Sequence, residues 1–518
     1  MTIAESLSTV VTSPWPDPDV PDVPLTAFLL AAAARRAEHP AVVDAATGRS
    51  LSYGEFAHQV ERAAAGFAAQ GLAKGDVVAI LSPNSPEWLV ACHAAIAAGG
   101  VVSGLNPLWS ADEVAAQIHD SAARFLVTTG ALAANARAAA EKAGVGTRLV
   151  LLDGPSVANI DGTLGLTELL ACTDPAPDVA IDPAVDLALL PYSSGTTGLP
   201  KGVMLTHRAC IANVLQTVAA LRIGPEDRTL AVAPFSHAVG WGVVANCALH
   251  VGATIVTLPR FEPHAFLGAI QEHRVTQTVV VPPVVLALAR HPAVADYDLS
   301  SLQWLACGAA PLGADLQREC MARLGIPVVQ GFGMTEAVAT IAADPIDTDV
   351  VAGSCGRLLP GVQARIDPMT GELWIRSAAQ MAGYLGNTDA TAATVDAEGW
   401  LHTGDVAHFD ENGSLFVVDR IKELIKVKAY QVAPAELEAV LRGHPAVADA
   451  AVIGVPDERS GEVPKAFVVA RAPVSADELT AHVAAHVAPY KQVHEIAFID
   501  AVPVSPSGKI LRRLLRGR

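Results

Sequence analysis

The chain has 518 residues, of which 51% are hydrophobic and 17% charged, and its formal net charge is −18. This length exceeds what a single hydrophobic core usually serves, so at least two domains are expected. The composition excludes a disordered protein. The acidic balance argues against a nucleic-acid partner, which would need a concentrated basic face. The seven cysteines have no CxxC spacing, which argues against a zinc site or a disulfide framework and is typical of a reducing compartment.

The N-terminal segment carries five prolines between residues 14 and 24 and has no basic start followed by an apolar run. We expect it to be extended and docked on the surface, and not to be a signal peptide. The most apolar window, 88–108, is interrupted by Gly99-Gly100 and by Asn106-Pro107 below membrane-spanning length. It predicts a buried helix that leads into a strand. A cytoplasmic protein without a membrane span is therefore expected.

Apolar, β-rich runs alternate with helical ones along most of the chain, which is typical of α/β layers. The predicted strands cover residues 77–81, 124–128, 148–152, 187–190, 254–258 and 278–281. Residues 131–143 are rich in alanine and predict an amphipathic helix. Past Gly413 the chain turns to short, charged segments bounded by turns. This change predicts an N-terminal α/β domain over residues 1–418 and a small α+β C-terminal lid over residues 419–518.

A phosphate-binding loop is predicted where the apolar run 187–192 ends in the motif SSGTTGLPKG. Its candidate residues are Ser193, Ser194, Gly195, Thr196, Thr197, Gly198 and Lys201. Glycines let backbone N–H groups converge on an anion, hydroxyls add donors, and the lysine supplies charge. The helical run 207–221 follows, so we expect its N-terminus to face the phosphate. Pro200 and Gly202 exclude a Walker A loop. In isolation, a mobile Gly/Thr surface loop is the alternative.

Four further motifs follow in order: GFGMTE at 331–336, LHTGD at 401–405, DRIKELIK at 419–426 and SPSGKI at 505–510. With SSGTTGLPKG they resemble the signatures of the adenylate-forming superfamily. That superfamily includes acyl-CoA synthetases, 4-coumarate-CoA ligases, beetle luciferases and peptide-synthetase adenylation domains. The resemblance covers essentially the whole chain and is nearest to the 4-coumarate-CoA ligase branch. It implies that the protein uses ATP and Mg²⁺ to convert a carboxylic acid to an acyl-adenylate, and then transfers the acyl group to coenzyme A.

The resemblance also assigns roles to individual residues. Lys509 would neutralise the repulsion between the acid carboxylate and the α-phosphate, and Glu336 would hold the metal ion. The implied catalytic residues are Lys509, His237, Thr335 and Lys426. Beyond the loop, the implied ATP-binding residues are Ala309, Ala310, Gln330, Gly331, Phe332, Thr335, Asp405, Arg420, Lys426, Gln431 and Lys509. Read alone, Lys509 could be a flexible terminal lysine, Glu336 part of a helix cap, and His237 a core histidine.

Three further groups complete the implied site. The acid pocket would be lined by His237, Ala238, Val239, Gly308, Gly333 and Ala339. The acceptor path would include Arg260, Lys428 and Ala429, although Arg260 could equally be a solvated surface cation. Asp419 would be the hinge on which the lid turns.

The chain departs from the resembling families at two places. Val239 stands where hydroxycinnamate ligases carry a tyrosine, and residues 337–340 replace a glycine, proline and valine pattern. An apolar aromatic or medium-chain acid is therefore predicted in place of 4-coumarate. Ala429 replaces a glycine on the pantetheine path, which leaves an amide-forming ligase open as an alternative. A nucleotide-binding scaffold without turnover is disfavoured by the intact motifs, and a monomer or homodimer is expected.

Overall fold

The computed structural model describes residues 10–153, 163–193, 200–346, 349–428, 430–457, 459–505 and 509–516. Its α-helices are, in chain order, α1 (Leu25–Leu30), α2 (Tyr53–Ala69), α3 (Pro86–Ala97), α4 (Ala111–Ser121), α5 (Ala133–Ala143), α6 (Leu166–Leu170), α7 (His207–Leu221), α8 (Cys247–Val251), α9 (Pro263–His273), α10 (Pro282–Arg290), α11 (Ala314–Leu324), α12 (Thr388–Thr394), α13 (Pro434–Arg442) and α14 (Ala476–His486). A π-helical segment, Val239–Asn246, precedes α8.

The strands before the phosphate-loop motif are β1 (Val11–Thr12), β2 (Pro40–Asp44), β3 (Ser50–Ser52), β4 (Val77–Leu81), β5 (Val101–Leu105), β6 (Phe125–Thr128), β7 (Arg148–Leu151), β8 (Leu164–Gly165), β9 (Leu187–Leu189) and β10 (Tyr192–Ser193). Those that follow it are β11 (Lys201–Thr206), β12 (Arg228–Ala231), β13 (Thr254–Thr257), β14 (Gln277–Val280), β15 (Trp304–Cys307), β16 (Val328–Gly333), β17 (Thr340–Ala343), β18 (Arg357–Leu358), β19 (Gln363–Ile366), β20 (Glu372–Arg376) and β21 (Gly383–Tyr384). The remaining strands are β22 (Leu401–Phe409), β23 (Leu415–Arg420), β24 (Ile425–Val427), β25 (Tyr430–Val432), β26 (Val447–Asp457), β27 (Gly461–Ala470) and β28 (Glu495–Phe498).

Two large mixed sheets carry the N-terminal part of the chain. One has the order β10-β11-β9-β5-β4-β6-β7-β8, with β21 beside β11, and the other has the order β18-β17-β16-β15-β14-β12-β13-β2-β3. In the second sheet the strands from β2 to β16 are parallel. Parallel strands end at a common edge, and ligands of open α/β sheets bind beyond it. Residues 234–237, 308–310 and 331–333 all lie at this edge.

Two antiparallel units complete the fold. One is the sheet β1-β19-β20-β22-β23, whose last strand ends at Arg420. The other is the C-terminal sheet β25-β24-β27-β26, with β28 parallel to β27. The C-terminal sheet has its own apolar core with α13 and α14, which includes Val432, Leu437, Val452 and Leu479. A large α/β domain followed by a small α+β domain confirms the predicted fold class. The location of the boundary at residue 419 stays a prediction.

Local sequence signals account for several element boundaries. Ser52 and Ser110 form capping boxes at α2 and α4, and Pro86 opens α3 at a position where its missing N–H costs no helical bond. The predicted helix leading into a strand at 88–108 is confirmed as α3 and β5. In the described part of the N-terminal segment, Val11 pairs with Ala364, and Ser13 N–H donates to the Val362 carbonyl. Among the described residues, every helix is too short or too polar to cross a bilayer.

Candidate functional site

The phosphate-loop motif is closed at its base by a pair of short antiparallel strands. Ser193 pairs with Lys201, and Tyr192 pairs with Gly202. The tip of the motif, with the predicted ligands Ser194, Gly195, Thr196, Thr197 and Gly198, lies outside the described residues. This closed base places Lys201, the cation of the motif, directly beside the point where the loop begins.

The prediction that the N-terminus of the following helix faces the phosphate is wrong. Strand β11 lies between the loop and α7, and α7 begins only after Thr206. The Thr206 hydroxyl accepts from the N–H of Ala209, and His207 Nδ1 accepts from the N–H of Leu25. The six residues of β11 are extended, so the strand spans on the order of 20 Å. Phosphate would therefore meet the loop and Lys201, without the helix.

Glu336, the predicted metal ligand, is held by Tyr384. Glu336 is buried, with 7% of its surface exposed, and Tyr384 Oη donates to its Oε1 over 2.7 Å. Lys201 Nζ lies 4.2 Å from the centroid of the same tyrosine ring, within reach of a cation–π contact. The main chain is fixed as well, because the N–H of Met381 donates to the Glu336 carbonyl over 2.9 Å. Tyr384 thus connects the loop lysine to the carboxylate.

Asp405 and Arg420, the predicted ribose ligands, form a pair on neighbouring strands. They are register partners on β22 and β23, and Arg420 Nε lies 3.4 Å from Asp405 Oδ1. Burial raises the pKa of Asp405 to about 6, although the positive charges of Arg420 and Lys509 oppose the rise. The Arg420 side chain remains 41% exposed. Asp405 therefore offers an acceptor from inside the site, and Arg420 offers a cation at its rim.

Lys509 reaches this site from the far end of the chain. Ser505 and Lys509 bond to each other: Ser505 N–H donates to the Lys509 carbonyl over 2.7 Å, and Lys509 N–H donates to Ser505 Oγ over 3.1 Å. Burial lowers the pKa of Lys509, the charge of Arg420 lowers it further, and Asp405 and Glu336 oppose this. The charge of Lys509 therefore acts on the same region as the carboxylates of Asp405 and Glu336.

The predicted adenine frame lies at the carboxyl edge of β15 and β16. A Cβ built on Gly308 would lie 3.8 Å from the Gly331 carbonyl oxygen, so the two segments are adjacent. Ala309 has a φ of +68°, which turns the chain sharply after β15. The residues predicted there are Ala309, Ala310, Gln330, Gly331 and Phe332. The Gln330 amide already serves the fold, since Oε1 accepts from Leu312 N–H and Nε2 donates to Gln317. The placement of Gln330 in the adenine frame stays a prediction.

His237 lies at one wall of a largely apolar pocket. The pocket is lined by Trp88, Val102, Gly104, Leu189, Pro191, Leu205, Phe235, Ser236, His237, Ala238, Trp241 and Val338. Burial lowers the pKa of His237 to about 4, and the nearby charge of Lys509 acts in the same direction. The imidazole is therefore neutral near pH 7, where it can donate or accept one hydrogen bond. Trp241 Nε1–H already donates to Cys92 Sγ over 3.3 Å.

Of the other residues predicted for the acid pocket, Ala238 lines it, and Val239 and Ala339 are chain neighbours of lining residues. Val239 begins the π-helical segment, and Gly242 of that segment faces Ala339, because a Cβ on Gly242 would lie 3.4 Å from the Ala339 Cβ. A Cβ on Gly333 would overlap the Ala339 carbonyl oxygen at 1.7 Å, so only glycine fits at position 333. π-Helical turns are rare and are frequent at functional sites. No pattern in residues 239–246 distinguishes this segment from an ordinary α-helix.

The residues predicted for the acceptor path lie on exposed surfaces. Arg260 and Lys428 are exposed, and Lys428 has a φ of +55°. Lys426 and Gln431 are paired positions of the β24–β25 hairpin with exposed side chains. Ala429 lies outside the described residues. The proposed roles of these four described side chains stay predictions.

Asp419 and Thr335 occupy structural positions next to the site. Asp419 Oδ2 accepts from the N–H of Ala435 over 3.0 Å, which ties the end of β23 to the first turn of α13. Thr335 opens a 3₁₀ turn, Thr335–Ala337, and its carbonyl accepts from the N–H of Val338. This turn places the Glu336 carboxylate within hydrogen-bond distance of Tyr384. Tyr384 itself was missed by sequence reasoning, since a lone tyrosine after a glycine has no distinguishing pattern.

Two family models match separate parts of the chain. A family model described as AMP-binding enzyme matches residues 29–385, and one described as AMP-binding enzyme C-terminal domain matches residues 436–509. The 4-coumarate–CoA ligase 2 of Oryza sativa subsp. japonica is 41% identical over 541 residues, which cover 98% of this chain and 95% of the relative.

Two solved structures resemble the chain over nearly its whole length. The ATP-bound MatB of Rhodopseudomonas palustris has a TM-score of 0.86 at 31% identity, covering 96% of this chain and 99% of that one. The amide bond synthetase McbA of Marinactinospora thermotolerans has a TM-score of 0.85 at 30% identity, covering 95% of this chain and 99% of that one.

Proposed function

This chain belongs to the AMP-binding enzyme family, and on that premise we propose that it activates an apolar carboxylic acid with ATP and transfers the acyl group to coenzyme A. In the first step a carboxylate oxygen bonds to the α-phosphorus, the bond from that phosphorus to the bridging oxygen breaks, and pyrophosphate leaves. In the second step the thiol sulfur bonds to the acyl carbon, AMP leaves, and the thiol proton is released. The acid itself is the nucleophile of the first step, so no side chain needs activation.

The position of Lys509 carries this proposal. A lysine 104 residues beyond Asp405 in the sequence interacts with Asp405, Arg420, Glu336 and His237 at once. Attack of one anion on another is slowed by charge repulsion, and a cation fixed between them favours the transition state. The acceptor at Asp405 and the cation at Arg420 support ribose and phosphate binding, and Lys201 supports binding at the loop.

A divalent metal ion fits the carboxylate of Glu336. Tyr384 donates to Oε1, which leaves Oε2 for a metal. Mg²⁺ is commonly held by one or two carboxylates together with substrate phosphates, and Glu336 would hold it here so that its charge offsets that of the phosphates.

The residues that line the pocket beside His237 support the proposal of an apolar acid. Apart from Ser236 and His237, the lining is made of apolar and aromatic residues and glycine. Val239 has no hydroxyl with which to meet a phenol, and burying a phenol without a partner is unfavourable. We therefore expect an aromatic or medium-chain aliphatic acid to be preferred over 4-coumarate. A panel of acids in which 4-coumarate reacts fastest would refute this preference.

An amide-forming ligase is the second candidate, supported by Ala429 and by the structural likeness to an amide bond synthetase. In that reaction an amine nitrogen would attack the acyl-adenylate and AMP would leave. CoA remains the first choice because the curated relatives are 4-coumarate–CoA ligases that match 98% of this chain. We further propose that the region after Asp419 turns as a lid between the two steps and that the enzyme acts in the cytoplasm.

The test combines ATP, Mg²⁺ and a panel of acids with either CoA or pooled amino acids, and identifies products by mass spectrometry. An acyl-CoA supports the thiol ligase, and an N-acyl amino acid without a thioester would replace it with the amide ligase. Replacing Lys509 by alanine should lower acid-dependent ATP–pyrophosphate exchange by about a hundredfold or more. Lys142→Ala, which removes an exposed lysine paired with Asp112, is the matched control and should keep full exchange. ATP binding without ATP–pyrophosphate exchange for any acid would instead support a nucleotide-binding scaffold without turnover.

A further inference from the structure

Val338 has a backbone conformation that β-branched residues rarely adopt. Its φ is +64° and its ψ is −64°, and the N–H of Ala339 donates to the Ala337 carbonyl over 2.8 Å. This hydrogen bond spans three residues and defines a γ-turn of the strained kind. A Cβ at positive φ crowds the neighbouring carbonyl, which is why glycine is favoured there.

The turn is fixed by bonds on both sides. Before it, the Glu336 carbonyl accepts from the Met381 N–H over 2.9 Å. After it, the side chain of Asn213 accepts from the Thr340 N–H over 3.3 Å and donates to the Thr340 carbonyl over 2.8 Å. The conformation of Val338 is therefore imposed by its surroundings, and backbone strain that persists in this way is most often found at functional sites.

The Val338 side chain reaches the pocket beside His237. Val338 is 2% exposed and lines that pocket, together with Trp88 and Trp241. The next residue, Ala339, lies against Gly242 on the other side of the turn. Glycine would relieve the strain at 338, but it would leave the pocket wall without the isopropyl group.

We propose that Val338 sets the size of the acid that the enzyme accepts, by holding its isopropyl group in the wall of the pocket beside His237. This inference rests on the proposed function, because it assigns the apolar part of the acid to this pocket. A larger side chain at 338 would shorten the space available to the acid, and a smaller one would admit a bulkier acid. The backbone strain is then tolerated because it presents a side chain where a relaxed glycine would present none.

The test compares wild type with Val338→Ala and Val338→Gly. Both variants remove the two γ-methyl groups, and they differ only by the Cβ. At an ordinary buried position the alanine variant is the more stable, whereas at this φ we expect Val338→Gly to have the higher melting temperature of the two. A higher melting temperature for Val338→Ala than for Val338→Gly would overturn the inference that this turn is strained.

The second measurement is acid specificity by ATP–pyrophosphate exchange, using an aromatic acid and the same acid with two added ring methyl groups. Both variants should raise the kcat/KM of the bulkier acid relative to the smaller one by about tenfold or more. Val42→Ala removes the same methyl groups from buried β2, outside the pocket, and should leave the ratio unchanged.

The outcomes separate the two proposals. An active wild type whose acid ratio does not change in either variant overturns the role of Val338 and leaves the proposed function standing. A wild type that exchanges pyrophosphate with no acid overturns the proposed function, and the role of Val338 with it. If Val338→Gly fails to fold, Val338→Ala still tests the acid ratio.

Discussion

Asp344 provides a quantitative test of the electrostatics behind the site. It follows β17, is 4% exposed, and its Oδ2 has no hydrogen-bond partner among the described residues. Burial raises its pKa from an ordinary value near 3.8 to about 7, although Arg357 opposes the rise, and Asp410 adds to it. The unfolded chain ionises this carboxyl near pH 4 and the folded chain only near pH 7. Folding is therefore increasingly disfavoured as the pH rises from 4 to 7, and the cost is constant above pH 7.

The magnitude follows from the distance between the two pKa values. At about 1.4 kcal/mol per pH unit, the full cost above pH 7 is about 4 kcal/mol. At pH 5 only about 1.5 kcal/mol of this cost is present. The folded chain still holds its proton there, and the unfolded chain is only about one pH unit above its own pKa. An asparagine side chain does not titrate, so the substitution Asp344→Asn should stabilise the protein by about 3 kcal/mol more at pH 8 than at pH 5.

Tryptophan fluorescence during urea unfolding measures this difference. All seven tryptophans precede residue 401, so the signal reports the domain that contains Asp344. Asp315→Asn replaces an exposed carboxylate and serves as the control, for which we expect no such change with pH. An equal effect of Asp344→Asn on the unfolding free energy at pH 5 and pH 8 would refute the reasoning.

Two further predictions concern the site itself. Tyr384→Phe keeps the ring under Lys201 but removes the donor to Glu336, so half-maximal ATP–pyrophosphate exchange should require about tenfold more Mg²⁺. Tyr430→Phe alters an exposed tyrosine as the control, and an unchanged Mg²⁺ requirement in Tyr384→Phe would argue against a positioning role. His237 should stay neutral down to about pH 5 in ¹³C-histidine NMR, and Lys509→Ala should raise its pKa, because burial and the lysine charge both lower it. Titration of His237 near pH 6.5 in wild type would contradict this.

Elements with strong local signals were predictable from the sequence. The helix 207–221 has the predicted bounds because Thr206 supplies a capping hydroxyl at its start and apolar residues continue to Leu221. The strand 77–81 also has its predicted bounds, since a run of Val, Ala, Ile and Leu of that length between parallel neighbours is buried on both faces. Each of these signals lies within the element that it predicts or directly beside it in the sequence.

Features that depend on distant contacts were not predictable. Strand β11 forms because β9, β10 and β21 pair with it, and none of those partners is evident from residues 201–206 alone. Tyr384 acquires its role from Glu336, which lies 48 residues earlier in the chain. The Gln330 side chain bonds to Leu312 and Gln317 inside the domain, and neither partner is evident from residues 328–333 alone. In each case a tertiary contact decides which of several chemically possible partners a residue meets.

The charges around Lys509 bear on the proposed lid movement. Burial and Arg420 lower the pKa of Lys509, and Asp405 and Glu336 only partly compensate. The docked lysine is therefore held weakly by the protein alone. ATP adds several negative charges to the site, which would favour the docked lysine, and pyrophosphate removes most of them when it leaves. The charged form of Lys509 is then disfavoured again in its docked position. Departure of pyrophosphate would therefore release Lys509 and free the site for the acceptor.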